Sequence, residues 1–275
     1  MRLRELLEKR FSEKDLKLVK GAFDVIGKSA IMEIPDELSH REKDIVEALL
    51  EMHPHIETVY KKGSDREGTF RLRDLKLIHG EEKEEEYKEH GYRVRLNVKR
   101  IYFSPREGTE RQRIASMVKP KETVMVMFAG VGPYSVAIAK KQPKVAKVYS
   151  IELNPDGYKY MEENFRINKV SKKVVPILGD CETGCAPYFG KCDRVVMPLP
   201  KGAYEYLEVA VKCLKKKGGI IHYYFLSSPE ALSDIKEIVK ADIEFFGRKI
   251  KSMKEHKAAL YSPSTQKYCL DIEVE

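Results

Sequence analysis

No apolar run in this 275-residue chain approaches membrane-spanning length. Its start, MRLRELLEKRFSEKDL, is an amphipathic charged segment, not a basic head followed by an apolar signal core. Both absences argue against a membrane anchor and a secretory leader, so a soluble, cytoplasmic protein without membrane contact is expected; a monomer is the separate expectation for its oligomeric state. Cysteine is scarce. The five residues Cys181, Cys185, Cys192, Cys213 and Cys269 are odd in number and form no CxxC pair, which argues against a disulfide framework and a zinc site. Free thiols and no bound metal are the expectation. Internal repeats and low-complexity linkers are absent too, which leaves ordinary globular architecture.

What the chain has in abundance is charge: 34% of residues are charged and the net charge is +8. Such a surface attracts polyanions, although Lys/Glu-rich composition is also common in heat-adapted proteins. The length suits one large domain carrying a smaller one, here residues 1–90 as an α+β unit and 91–275 as an α/β unit. Up to Pro105, periodicity predicts a helix over 3–20, a strand over 23–34, a helix around Ile45–Met52 and strands at 58–61, 69–77 and 92–98. The acidic run 81–86 reads as a solvated turn or short helix. After Pro105, short apolar strands alternate with amphipathic helices: strands at 123–128, 147–152, 174–178, 194–197 and 219–225, helices at 109–118, 134–141, 156–168 and 203–214. That alternation implies a mostly parallel sheet with helices on both faces. A helix over 230–240 and strands over 244–251 and 268–274 would add an antiparallel pair at one edge.

The sharpest local signal is Val124-Met-Val-Met-Phe-Ala-Gly-Val-Gly-Pro133, an apolar strand running through a glycine turn into a helix. Gly130 and Gly132 would let the backbone pass close to a ligand. Glu152 closes the next strand, where a carboxylate suits a ribose diol, and Asp180 closes the third, within reach of an adenine amino group. A dinucleotide fingerprint would place a third glycine where Ser135 stands, and Pro133 and Tyr134 fill the turn that a pyrophosphate needs open. The expected cofactor is S-adenosylmethionine, bound in a class I methyltransferase-type, Rossmann-like fold.

Tyr102-Phe-Ser-Pro-Arg-Glu-Gly-Thr-Glu-Arg111, Met127-Phe-Ala-Gly-Val-Gly-Pro133, Glu152-Leu-Asn-Pro155 and His222-Tyr-Tyr224 together resemble the archaeal and eukaryotic tRNA (guanine-37-N1) methyltransferases and their wyosine-building relatives. The resemblance covers nearly the whole chain from about residue 20. It implies a smaller N-terminal RNA-contacting domain, a class I methyltransferase domain, and action on the purine next to the anticodon of tRNA. The start is expected to be too short for the extra domain with which some members grip the tRNA elbow.

By motif, the resemblance implies that Glu110 is the general base for the N1 proton and Arg71 the donor to the guanine oxygen, a division of labour that fits the chemistry. It implies cofactor contacts from Tyr102, Ser104, Arg106, Phe128, Gly130, Gly132, Pro133, Glu152, Leu153, Asp180 and Cys181. Read without the family, Glu110 is a first-turn helix acid and Arg106 a surface ion-pair partner. Pro198, Leu199 and Pro200 end the fourth strand, where ligands of open α/β sheets bind. Pro198 stands where N1-methylating relatives usually carry asparagine, and this resembles an archaeal branch that methylates carbon in the wyosine precursor 4-demethylwyosine. Val126 replaces a usual aspartate.

Two alternatives accompany this reading: transfer of the cofactor's aminocarboxypropyl arm, ranked lower because Gly132-Pro133-Tyr134 and Leu199-Pro200 are present, and a catalytically idle RNA-binding module. Extruding a loop nucleotide costs less than extruding a paired one. Tyr134 or Tyr204 is expected to stack on the base, and lysines such as Lys201, Lys215 and Lys257 to hold phosphates.

Overall fold

The computed structural model describes residues 3–68, 70, 72–262 and 264–275. Two compact units share the chain: unit 1 comprises Met1–Lys88 and Arg95–Pro105, and unit 2 comprises Glu89–Val94 and Arg106–Glu275. The expected boundary at residue 90 falls inside a hairpin that the two units divide between them, formed by β5 (Glu85–Glu89) and β6 (Tyr92–Leu96).

Unit 1 contains α1 (Leu3–Leu7), α2 (Glu13–Leu18), β1 (Phe23–Ile26), β2 (Ser29–Met32), α3 (Glu42–Met52), β3 (Thr58–Glu67) and β4 (Leu72–His79). The strands form one sheet in the order β1-β2-β3-β4. Two expectations change here. The single helix over 3–20 is two short ones, because the Ser12 side chain accepts the Asp15 N–H and starts a new helix. The single strand over 23–34 is a hairpin turning at Gly27, whose φ of 58° suits glycine. Its core joins Leu3, Leu7 and Val19 to Ala30, Met32, Ile45, Leu49 and Val59. The acidic run is not wholly solvated: Glu85 is buried and accepts hydrogen bonds from the Lys28 N–H (2.8 Å) and the Ser29 hydroxyl (2.5 Å).

Unit 2 runs α4 (Gly108–Met117), β7 (Thr123–Val126), α5 (Pro133–Lys141), β8 (Lys147–Glu152), α6 (Pro155–Ile167), β9 (Val174–Leu178), α7 (Cys181–Gly184), β10 (Arg194–Met197), α8 (Leu207–Cys213), β11 (Gly219–Ser227), α9 (Leu232–Phe245), β12 (Ile250–Leu260) and β13 (Gln266–Val274). Its seven-stranded sheet has the order β12-β13-β11-β10-β7-β8-β9, as a class I methyltransferase fold requires. β7 to β11 are parallel, and β13 and β12 pair antiparallel at the edge. Near-continuous apolar strands such as Val124–Met127 and Val195–Met197 are fully buried, as strands covered on both faces must be. Strand order reverses between β7 and β10, so the C-terminal tips of β7, β8, β9 and β10 form the edge where such sheets bind ligands. At the far end the structure departs from expectation. α9 continues to Phe245, and the last hairpin begins only at Ile250, because Val239 and Ile243 keep the helical face buried across the boundary drawn from sequence.

Candidate active site

At the tip of β7 the chain winds tightly. Phe128, Gly130 and Gly132 all lie at positive φ (53°, 57° and 80°). For a residue with a side chain this conformation costs on the order of 1–3 kcal/mol and persists only where the surroundings enforce it. The Phe128 ring is held edge-on to Tyr206, with centroids 5.0 Å apart. The Ala129 N–H donates to the Ile151 carbonyl (2.8 Å) and the Gly132 N–H to the Ala129 carbonyl (2.9 Å), fixing the turn to the neighbouring strand. The two glycines differ in purpose. A Cβ on Gly132 would come within 2.6 Å of Phe165 Cε1 and 3.0 Å of Met161 Cγ, so this position is small because α6 packs against it. Pro133 then opens α5, where its missing N–H costs nothing.

Glu152 clasps that turn. One carboxylate oxygen accepts the Gly130 N–H at 2.6 Å and the other the Asn154 N–H at 2.8 Å. Burial raises its pKa above the ordinary value, against the pull of these backbone donors. The Leu153 N–H is a third backbone donor to this carboxylate, which still leaves acceptor capacity for a ligand. Leu153 beside it is exposed. One strand further, Asp180 caps α7 by accepting the Glu182 N–H (2.7 Å), and its other oxygen accepts the Tyr206 hydroxyl (3.1 Å). Burial and this carboxylate push the Tyr206 hydroxyl up to about 12, so it stays a proton donor. Nothing lies within 4 Å of a Cβ built on Gly179, so the tip of β9 is open next to Asp180. Cys181 is buried in the core with Cys185, Cys192 and Cys213, and these free thiols join one apolar cluster.

This donor set fits S-adenosylmethionine. Two carboxylates at successive strand tips suit a diol and an amine, the Phe128 and Tyr206 rings and Leu153 offer apolar surface, and Pro133 withholds a backbone N–H at the start of α5, where a pyrophosphate would use one. Glu152, Asp180 and the Gly130 turn would hold the nucleoside. Pro198, Leu199 and Pro200 follow β10 on the same edge and are partly buried.

A second cluster surrounds α4. Arg111 is almost wholly buried and grips Glu89 with two bonds (2.7 and 2.6 Å). Glu110 is 2% exposed. Arg113 donates to both its oxygens (2.8 Å each), the Tyr224 hydroxyl donates to Oε1, and His256 Nε2 lies 3.3 Å from Oε2. Arg113 also reaches Asp271 (2.5 Å), Asp271 meets His222 Nδ1 (2.5 Å), and Arg194 lies 2.7 Å from His222 Nε2 while pairing with Glu122 (2.9 Å). A guanidinium can only donate, so His222 Nε2 is the acceptor and Nδ1–H points to Asp271, which fixes a neutral tautomer. Burial lowers the His222 pKa in the same direction, while Asp271 opposes it. Asp271 is held well below the usual carboxylate range: burial alone would raise it, but its bonds to His222 and Arg113 prevail. His222, Cys269 and Asp271 lie close enough to suggest a metal site, yet Arg194 and Arg113 already occupy the ring nitrogen and the carboxylate.

The structure thus brings together Phe128, Gly130, Gly132, Pro133, Glu152, Asp180 and Cys181, and it links Glu110 to this edge through two rings. Tyr224, bonded to Glu110, meets Tyr134 of α5 edge-on at 6.2 Å. Arg106 is exposed, in the turn before α4. Tyr102 and Ser104 belong to unit 1, where Tyr102 lines a small cavity with Asp24, Lys62 and Arg73. Arg71 lies outside the described residues. Tyr134 is corrected: at 4% exposure it packs in the core and offers no face to a base, whereas Tyr204 is 50% exposed. Lys215 is tied to Asp193 at 2.6 Å and so is not a free phosphate ligand. Sequence reasoning missed Tyr206, His256 and the Arg113–Asp271–His222–Arg194 chain. Beyond the His222-Tyr-Tyr224 motif, the local signal for that chain was the i,i+3 spacing of Glu110 and Arg113.

The chain matches the TRM5/TYW2 methyltransferase domain over residues 85–252 and the TYW2 N-terminal domain over residues 3–83. It is 41% identical over 260 residues to the tRNA (guanine(37)-N(1))-methyltransferase Trm5b of Pyrococcus abyssi, spanning 92% of this chain and 74% of that protein. It is 34% identical over 241 residues to the tRNA 4-demethylwyosine(37)-methyltransferase Taw21 of Saccharolobus solfataricus, spanning 85% and 89%. Among solved structures, TYW2 of P. horikoshii in complex with MeSAdo superposes with a TM-score of 0.81 at 29% identity, covering 99% of this chain and 97% of that one. Among the described residues no helix is long and apolar enough to cross a membrane.

Proposed function

Because the chain belongs to the TRM5/TYW2 methyltransferase family, we propose that it transfers a methyl group from S-adenosylmethionine to the purine at tRNA position 37. The relatives above are named for guanine-37 N1 methylation and for 4-demethylwyosine methylation, and the acceptor here is guanine N1, a carbon of 4-demethylwyosine, or each of these in the corresponding tRNA. The observation that carries the reading is the clasp at the tips of β7 and β8, where Glu152 accepts the Gly130 N–H and retains acceptor capacity for a ribose hydroxyl. When bound, S-adenosylmethionine supplies an electrophilic methyl on a sulfonium.

The chain's own residues do the rest. Glu152 and Asp180 orient the nucleoside, and Leu153 with Phe128 and Tyr206 shields it from water. Glu110 takes the proton that the base gives up. The Glu110 cluster suits a proton acceptor. Glu110, Asp271 and Glu122 are three carboxylates against the two guanidiniums of Arg113 and Arg194, so one added proton neutralises a buried excess of negative charge. Pro198, Leu199 and Pro200 border the base through backbone carbonyls, without the side-chain amide of N1-methylating relatives. Arg106 and exposed lysines such as Lys201, Lys254 and Lys257 hold phosphates.

Two observations favour a second reading, transfer of the aminocarboxypropyl arm: the match to the TYW2 N-terminal domain and the likeness to TYW2 along nearly its whole length. One experiment separates them. The protein is incubated with S-adenosylmethionine and either tRNA carrying guanosine at position 37 or tRNA carrying 4-demethylwyosine, and the nucleosides are analysed by mass spectrometry. A methylated nucleoside supports the proposal, an aminocarboxypropyl adduct supports the second reading, and no modified nucleoside refutes both.

A further inference from the structure

Methylating a ring nitrogen or carbon that carries hydrogen releases one proton per turnover, and on the reading above that proton lands on a carboxylate sealed from solvent. Glu110 is 2% exposed, so the proton needs a way out before the next cycle. The groups in contact with that carboxylate are few. Arg113 donates to both its oxygens, and Arg113 cannot lose a proton near neutrality: burial works against its charge, but the Glu110 and Asp271 carboxylates raise its pKa further. Tyr224 donates to Oε1, and burial drives its hydroxyl well above the ordinary value. Tyr134 and Cys269, also within the electrostatic reach of Glu110, are buried and pushed well above their ordinary values by burial. Asp271 is held ionised by His222 and Arg113 and touches Glu110 only through the shared guanidinium.

His256 differs from all of these. Its Nε2 stands 3.3 Å from Glu110 Oε2, while 44% of its side chain is exposed on the edge strand β12. Imidazole is the side chain whose proton exchange falls in the physiological range, and it has two nitrogens, so it can take a proton on one side and release one on the other. We propose that His256 is the proton relay that returns Glu110 to its carboxylate form, linking the buried carboxylate to solvent. The balance is simple. The base's new bond to the methyl carbon replaces the methyl–sulfur bond of the cofactor, whose electron pair stays on sulfur, and the N1–H (or C–H) bond of the base breaks as Glu110 gains the proton. Glu110 passes it to Nε2 of neutral His256, and the imidazolium gives a proton from Nδ1 to water. His256 acts through Glu110 and touches no reacting atom, so it is not a catalytic residue. This inference rests on Glu110 being the base.

The test uses the full chain with His256→Gln, a substitution at an exposed position, beside wild type and Glu110→Gln. The first turnover, measured with enzyme in excess over tRNA, needs only an ionised Glu110. Repeated turnover needs the exit. His256→Gln is expected to leave the single-turnover rate within about twofold of wild type and to lower the steady-state rate at least roughly tenfold, less than the roughly 100-fold that positioned proton transfer supplies at its weakest, because water supplies part of the exchange. Added imidazole should restore much of that loss, which a purely structural role would not allow. A steady-state rate equal to wild type, or a loss that imidazole does not touch, overturns the relay. If Glu110→Gln keeps the wild-type single-turnover rate while binding cofactor normally, the underlying reading of Glu110 fails. If instead Glu110→Gln abolishes the first turnover and His256→Gln has no effect, only the relay fails.

Discussion

Replacing Glu152 by glutamine tests the cofactor site where its geometry is most specific. Both carboxylate oxygens accept backbone N–H groups, from Gly130 at 2.6 Å and Asn154 at 2.8 Å. A glutamine has one oxygen and one NH2, so its nitrogen must face one of those donors. The unsatisfied N–H is common to the free and bound variant and costs stability; affinity falls because the proposed bonds to the two ribose hydroxyls lose their charge assistance, about 1–1.5 kcal/mol each. Together these should weaken S-adenosylmethionine binding by roughly 100-fold, equivalent to about 2.7 kcal/mol. The pH dependence follows with its sign. Bound hydroxyls donate to the carboxylate and so favour its ionised form, while burial raises its pKa in the free protein. Wild-type affinity should therefore be constant at neutral pH and fall as pH drops through that raised pKa, by up to about tenfold per unit. Glu152→Gln should remove this slope. Calorimetric titration of both proteins from pH 8 into the acidic range measures both effects. A variant within about threefold of wild type, or one that keeps the acid slope, would refute the clasp as the ribose site.

Gly132→Ala would place a Cβ 2.6 Å from Phe165 at a φ of 80°. Backbone strain and overpacking together predict a loss of about 2–5 kcal/mol, read as a lowered urea midpoint; an unchanged midpoint would show that α6 can yield. Arg194→Met removes a fully buried guanidinium and strands Glu122 and the His222 ring nitrogen, so destabilisation of about 3–5 kcal/mol is expected by the same measurement. A variant as stable as wild type would contradict the network described. Pro198→Asn should shift the products toward N1 methylation in nucleoside mass spectrometry, and identical product ratios would remove Pro198 as the determinant.

The parallel sheet was legible because short, wholly apolar strands such as Val124–Met127 and Val195–Met197 alternate with amphipathic helices, a pattern few other folds produce. The glycine turn, Glu152 and Asp180 were legible for the same reason, since strand tips are predictable once strands are. The purpose of Gly132 was not, because Phe165 and Met161 lie about 30 residues away. Gly27 was absorbed into one long strand because the residues on both sides, Val25-Ile26 and Ile31-Met32, are equally apolar. α9 was cut short because Ile243, Phe245 and Phe246 imitate a strand, whereas Phe245 is 85% exposed at the helix end. The buried charges were the hardest to foresee. Sequence composition treats Glu110, Arg113, Arg194 and Asp271 as surface residues, and only the sheet order brings β10, β11 and β13 beside α4.

The central claim is methylation of the position-37 purine, and substitution of that single nucleotide tests it most directly. Two tRNA transcripts differing only at position 37, one with guanosine and one with uridine, are incubated with the protein and methyl-labelled S-adenosylmethionine. Label is predicted in the guanosine transcript, in tRNA carrying 4-demethylwyosine, or in both, and none above background in the uridine transcript. Equal labelling of the guanosine and uridine transcripts above background, or no labelling of the guanosine transcript and of tRNA carrying 4-demethylwyosine alike, would contradict that claim.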